Sequence, residues 1–126
     1  MKDMKFPPPP GVRLISLDAV SMYTYIPVES AVNLMLQLLE NCGIASDIRQ
    51  EFESLINICV KTNYCAFGNS IYRFDDGLPM GNPLSPLVAD VYMAELEKKL
   101  LTYDFSSHIL LWKRYVDDVL CVWDGP

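Results

Sequence analysis

Val12 to Leu17 is a mostly apolar run that ends on a carboxylate, Asp18, and is a strand candidate. The period of two of a strand puts Leu14, Ser16 and Asp18 on one face and Ile15 and Leu17 on the other. Past Ile26-Pro27 the period changes. Val32, Met35, Leu36 and Leu39 recur at helical spacing, which predicts a helix over 29–42 that stops at Gly43. A second helix is expected with Ser46 as its cap and Ile48, Phe52, Leu55, Ile56, Cys59 and Val60 along one stripe. The runs 64–67 and 71–74 flank Gly68-Asn69 and read as a hairpin. Gly77 to Pro86 reads as a loop. Ser85-Pro86 then predicts a helix start, serine as cap and proline in the first turn, running to about Leu101. A last hairpin is expected from 109–116 and 119–123 around a tight Asp117-Asp118 turn.

The element order is strand, two helices, hairpin, helix, hairpin. It predicts an α+β fold, an antiparallel sheet with helices packed on one face. Residues 1–11 include four consecutive prolines and read as an extended lead-in, because proline joins neither a helix interior nor a central strand. The remaining 12–126 suit one domain.

Composition narrows the picture. Apolar residues make up 51% of the 126, enough for a packed core and against disorder. The net charge is −6, from 10 Lys and Arg against 16 Asp and Glu, which opposes electrostatic capture of nucleic acid. Cys42, Cys59, Cys65 and Cys121 form no CxxC pair and His108 is the one histidine, so a zinc site is not expected. The cysteines sit in apolar runs, which predicts reduced, buried thiols in an intracellular protein, nuclear or cytoplasmic and not secreted. No stretch has the length of a membrane span, and no signal-peptide apolar region opens the chain.

Candidate chemistry starts with the acids. Asp18 closes an apolar strand, either as a turn residue or as a group that meets a cation. Tyr115-Val116-Asp117-Asp118-Val119 places two acids between apolar strands, which reads equally as an acidic turn. If the two strands are neighbours, three carboxylates gather at one edge. Their repulsion calls for a hard divalent ion with oxygen ligands. Two such ions could clamp the attacking and leaving oxygens of an in-line phosphoryl displacement. Tyr23 is a core aromatic or a wall that excludes a ribose 2′-hydroxyl. The loop GLPMGNPLSP, with glycines that permit close backbone approach, is a connector or a ligand loop. Asp75-Asp76 before it reads as a solvated turn, and Met80 as a packing residue.

Three segments carry a family resemblance. LISLDAVSMYTYIP resembles the first palm motif of reverse transcriptases, GLPMGNPLSPLVADVYMAELE the second, and RYVDDVLCVWDG the third, in the family's order and with Asp18 and Asp117 99 positions apart. The likeness is nearest to Penelope-like retroelements and runs from about Pro10 to Gly125. The resemblance implies the palm of a right-hand polymerase, an RNA-directed DNA polymerase. Asp18, Asp117 and Asp118 would be catalytic, holding two Mg2+ ions (or Mn2+), with Asp118 the less essential acid. Tyr23 would be the steric gate for deoxynucleotides. Met80, Gly81, Pro83, Ser85 and Tyr115 would lie at the template and nascent pair. Met80 stands where many other reverse transcriptases carry Gln, and Tyr25 departs from the Asn common in the Penelope-like branch.

The implied partners are an RNA or DNA template with primer and deoxynucleoside triphosphates, and no membrane. The family's fingers precede the first motif and its thumb follows the third, so residues 1–126 alone are expected to bind nucleic acid weakly and not to extend a primer. Two rival readings are a non-catalytic remnant kept as an interaction module and a metal-dependent nuclease.

Overall fold

A computed structural model describes residues 10–126, so the expected lead-in lies outside the described residues except for Pro10 and Gly11. The elements, in order, are β1 (Arg13–Asp18), α1 (Met22–Tyr25), α2 (Val28–Asn41), α3 (Ser46–Lys61), β2 (Tyr64–Phe67), β3 (Ser70–Arg73), α4 (Ser85–Leu100), a 3₁₀ turn (Asp104–His108), β4 (Ile109–Tyr115) and β5 (Asp118–Trp123). The class is α+β with antiparallel pairing throughout. The chain divides into two compact units, residues 10–20 with Glu95–Pro126, and Ser21–Ala94, and one division falls inside α4.

The first unit is built on a three-stranded sheet in the order β1-β5-β4. Strand β5 is central, which is why it carries the buried residues Val119, Cys121 and Val122. Its register sets Leu14 opposite Val122, Ser16 opposite Leu120 and Asp18 opposite Asp118. On its other side Arg114 faces Val119 and Tyr115 faces Asp118, with an irregularity between Ile109 and Leu111. Directly opposed residues share a face. One face therefore carries Leu14, Ser16, Asp18, Val122, Leu120, Asp118, Leu111, Lys113 and Tyr115; Val122 is buried and Leu111 half-buried, and the rest are exposed. Against the other face lies the end of α4, where Glu97 binds Trp112 and Arg114.

The second unit packs α1, α2, α3 and the start of α4 around Met22, Ile26, Ala31, Val32, Ile56, Val60 and Val88. The expected α3 stripe is only half used. Ile56 and Val60 are buried, whereas Ile48, Phe52 and Leu55 are exposed. Hairpin β2–β3 pairs as expected, with Gly68 at φ 62°, and every residue in its strands is exposed.

Several local expectations need correction. Ala45, not Ser46, precedes α3 as its N-cap residue, and Ser46 is already helical. Cys42 and Cys65 are exposed thiols, and only Cys121 is buried, where burial pushes its thiol up from the ordinary value. The last turn is one residue earlier than expected: Val116 and Asp117 form it, and Asp118 is the first residue of β5. The short α1 and the 3₁₀ turn have no period long enough to show in the sequence.

Candidate active site

The acids belong to the first unit. Asp18 ends β1 directly opposite Asp118, so their side chains leave the same face. Asp117 meets β1 through its backbone, its carbonyl accepting from the Ala19 N–H at 3.0 Å. The sheet thus gathers all three residues at one end. Asp18 and Asp118 are exposed and Asp117 is half-buried.

The turn that carries them is strained. Val116 has φ 59°, a left-handed value that a β-branched side chain rarely takes. Positive φ at the first residue of a two-residue turn matches the right-handed twist of the flanking strands, which explains the geometry but not the choice of valine. Strain of this kind persists only where the surroundings over-determine the backbone. Here Arg114 supplies part of that: its Nη1 donates to the Val116 carbonyl at 3.1 Å while its Nε donates to Glu97 Oε1 at 2.8 Å.

The donor chemistry fits a hard cation, since carboxylate oxygens on one exposed face are its usual ligands. Among the described residues no group of three acids, cysteines or histidines closes into a cage.

The loop belongs to the second unit, and it is held more firmly than a simple connector. Leu78 N–H donates to the Tyr23 carbonyl at 2.7 Å, so the loop start is tied to the helix that carries the gate candidate. Tyr23 itself is half-buried. Gly77 has φ 88°, and a Cβ there would come within 2.7 Å of the Thr24 carbonyl oxygen, so only glycine allows this approach. Asn82 donates from Nδ2 to the Cys59 carbonyl at 2.6 Å and accepts from Leu84 N–H at 2.8 Å, which fastens the loop to the end of α3. Gly81 and Pro83 are exposed. Met80 is 78% exposed, so it does not pack as the sequence suggested.

Ser85 is buried, and its hydroxyl donates to the Pro79 carbonyl at 2.5 Å instead of capping α4. Ser85 is the first residue of α4, and its own N–H donates back to the Asn82 carbonyl at 3.1 Å.

Two important residues escaped the sequence reading. Asp76 is not a merely solvated turn residue. Its Oδ1 accepts from Val28 N–H at 3.0 Å and Gly77 N–H at 2.9 Å. Pro27 occupies the cap position of α2 and has no side chain able to cap, so an acid 48 residues away serves instead. These N–H groups, Val28 first, hold the Asp76 carboxyl below its ordinary 3.8, against an opposing effect of burial. Asn82 before Pro83 carried the local signal of an Asx turn; its bond to Cys59 carried none.

Neither the scan of protein-family models nor the search of curated proteins finds a match to this chain.

Proposed function

We propose that this chain is the palm of a reverse transcriptase, related to the Penelope-like retroelements, that catalyses two-metal nucleotidyl transfer. The observation that carries the reading is the meeting of Asp18 and Asp118 across two strands, with Asp117 beside them in a strained turn. On this reading Asp18 and Asp117 hold Mg2+ or Mn2+ and Asp118 assists. When bound, the cations would polarise the phosphoryl group and stabilise the attacking and leaving oxygens. The chain's own contribution is positional: it fixes the carboxylates on a rigid sheet and leaves the face beside them open. Tyr115 and Lys113, exposed on that face, would lie along the bound strand.

In the second unit the proposed roles are those of a gate and a template loop. The bond from Leu78 to the Tyr23 carbonyl supports treating Tyr23 and the Gly77–Pro86 loop as one element. Met80, Gly81 and Pro83 present the loop's exposed surface, and Ser85 shapes it from inside. In a protein that also carries fingers and thumb, Tyr23→Ala should admit ribonucleotides without an equal loss of deoxynucleotide use, because the selection is steric. An unchanged ratio of ribo- to deoxynucleotide incorporation would leave Tyr23 a packing residue.

The net charge of −6 supports weak nucleic-acid binding by this chain, so metal binding is the more direct assay. Mn2+ titration followed by electron paramagnetic resonance should show binding that Asp18→Asn and Asp117→Asn remove. Binding insensitive to both substitutions would end the two-metal reading. In a protein that joins this chain to fingers and thumb, a labelled primer–template incubated with Mg2+ and deoxynucleotides separates polymerase from nuclease, since one lengthens the primer and the other shortens it.

A further inference from the structure

We propose that Arg114, held by Glu97, is the positioning residue that fixes the β4–β5 turn and so places Asp117 and Asp118. The inference rests on the nucleotidyl-transfer reading for its consequence, but the geometry behind it stands in the first unit alone.

Glu97 lies in the last turn of α4 and uses one oxygen, Oε1, to accept from both Trp112 Nε1 at 3.0 Å and Arg114 Nε at 2.8 Å. The pair is largely removed from solvent: the Arg114 side chain keeps 10% of its exposure and Glu97 20%. A charge pair so placed is costly to break. Trp112 limits the freedom of the carboxylate further. The guanidinium is therefore immobilised before it reaches the turn, where Nη1 meets the Val116 carbonyl at 3.1 Å.

That carbonyl belongs to the residue at φ 59°. A valine left to itself would leave this region for an extended or helical one. Such a flip would reorient the peptide that leads into Asp117. The alternation of β4 puts Arg114 opposite Val119, on the covered face, whereas Asp18 and Asp118 leave the open face. Arg114 therefore acts on the acids through the backbone and does not reach what they bind. Lysine could not replace it, since one ammonium on a flexible stem does not hold the planar fork that joins Glu97 and the carbonyl together.

The test uses residues 1–126 as wild type, Arg114→Lys, Arg114→Met and Glu97→Gln. The methionine keeps the buried stem, and the glutamine keeps an oxygen that can accept from Trp112 and Arg114. Two readouts are needed. The first is the nuclear magnetic resonance signature of positive φ at Val116, a strong intraresidue amide–Hα contact, followed with amide exchange at Asp117 and Asp118. The second is Mn2+ affinity. Arg114→Lys and Arg114→Met should lose the Val116 signature and weaken Mn2+ binding by about 10–100-fold, the typical cost of losing a residue that orients a metal ligand. Glu97→Gln should keep the signature and lie between these and wild type. A purely structural role would lower the melting temperature of the arginine variants while leaving the signature and the affinity unchanged, and that result overturns the proposal. If wild type and Asp18→Asn bind Mn2+ alike, the metal reading fails on its own. The Val116 signature still decides whether Arg114 sets the turn: its loss in Arg114→Lys upholds that role and its retention refutes it.

Discussion

The two hairpins share a plan and differ in everything that surrounds it. Each joins two antiparallel strands through two residues, and each has positive φ in its turn. In β2–β3 that position is Gly68, which takes φ 62° without steric cost, and both strands are exposed. In β4–β5 the position is Val116, and the hairpin is pinned by β1 on one edge and by Glu97 and Arg114 from one face. An unstrained turn needs no support. A strained one exists only because its neighbours hold it, and the acids of the candidate site stand on the strained one.

The largest test of that contrast is chemical. Asp117→Asn should weaken Mn2+ binding by about 100-fold or more, beyond the cost typical of losing a supporting residue. Asn69→Ala, at the matching place in the glycine turn, should leave the titration unchanged. Equal losses in both variants would mean that the hairpins do not differ in function.

Exchanging the turn residues comes next. Gly68→Val should destabilise the β2–β3 hairpin by about 1–3 kcal/mol, the cost of a residue forced into a sparsely populated region, read by faster amide exchange in its strands. Val116→Gly should relieve that strain in the other hairpin and add about 1 kcal/mol of stability in a urea melt. It should nevertheless weaken Mn2+ binding, because a glycine turn no longer selects one conformation. Tighter binding by Val116→Gly would show that the strain serves nothing.

The β2–β3 hairpin has its firm point just beyond β3, at Asp76, and pH probes it. The folded carboxyl is depressed by the Val28 and Gly77 N–H groups. Its contribution is therefore fully present above the ordinary carboxylate value and is lost as the pH falls through the depressed one. Because Asp76 is exposed, screening holds the effect to under about 1 kcal/mol. Asp76→Ala should lower the melting temperature at pH 7 and flatten its fall as the pH drops below the ordinary carboxylate value. An acid limb as steep as wild type would exclude Asp76 as its source.

The smallest effect is expected where like charges face each other. Without metal, Asp118→Asn should raise the melting temperature by about 1–4 °C, since it removes a directly opposed pair of carboxylates. Asp117→Asn should raise it less, because Asp117 sits in the turn and not opposite Asp18. Saturating Mg2+ should shrink the advantage of Asp118→Asn. A fall in melting temperature for that variant would argue that the pair is not repulsive.

The strands and helices were legible because their signals are local. The apolar run over 12–17 and the helical periods over 29–42 and from Ser46 onward are set by which face each residue must bury, and the structure moves those boundaries by only a residue or so. The sequence also put a carboxylate at the end of β1 and two more in the turn before β5. What it did not contain was the register, because pairing between segments about a hundred residues apart depends on the whole sheet. Register is what set Asp18 against Asp118 and moved Asp118 out of the expected turn into β5. Long-range bonds were hidden for the same reason. Asp76 capping α2, Asn82 reaching Cys59, and Glu97 steadying Arg114 each join chain positions that no local pattern links. The tertiary structure alone decided which acids cap, which pair, and which stand free on the open face, because that choice follows from the partners brought near each carboxylate and not from its neighbours in the chain.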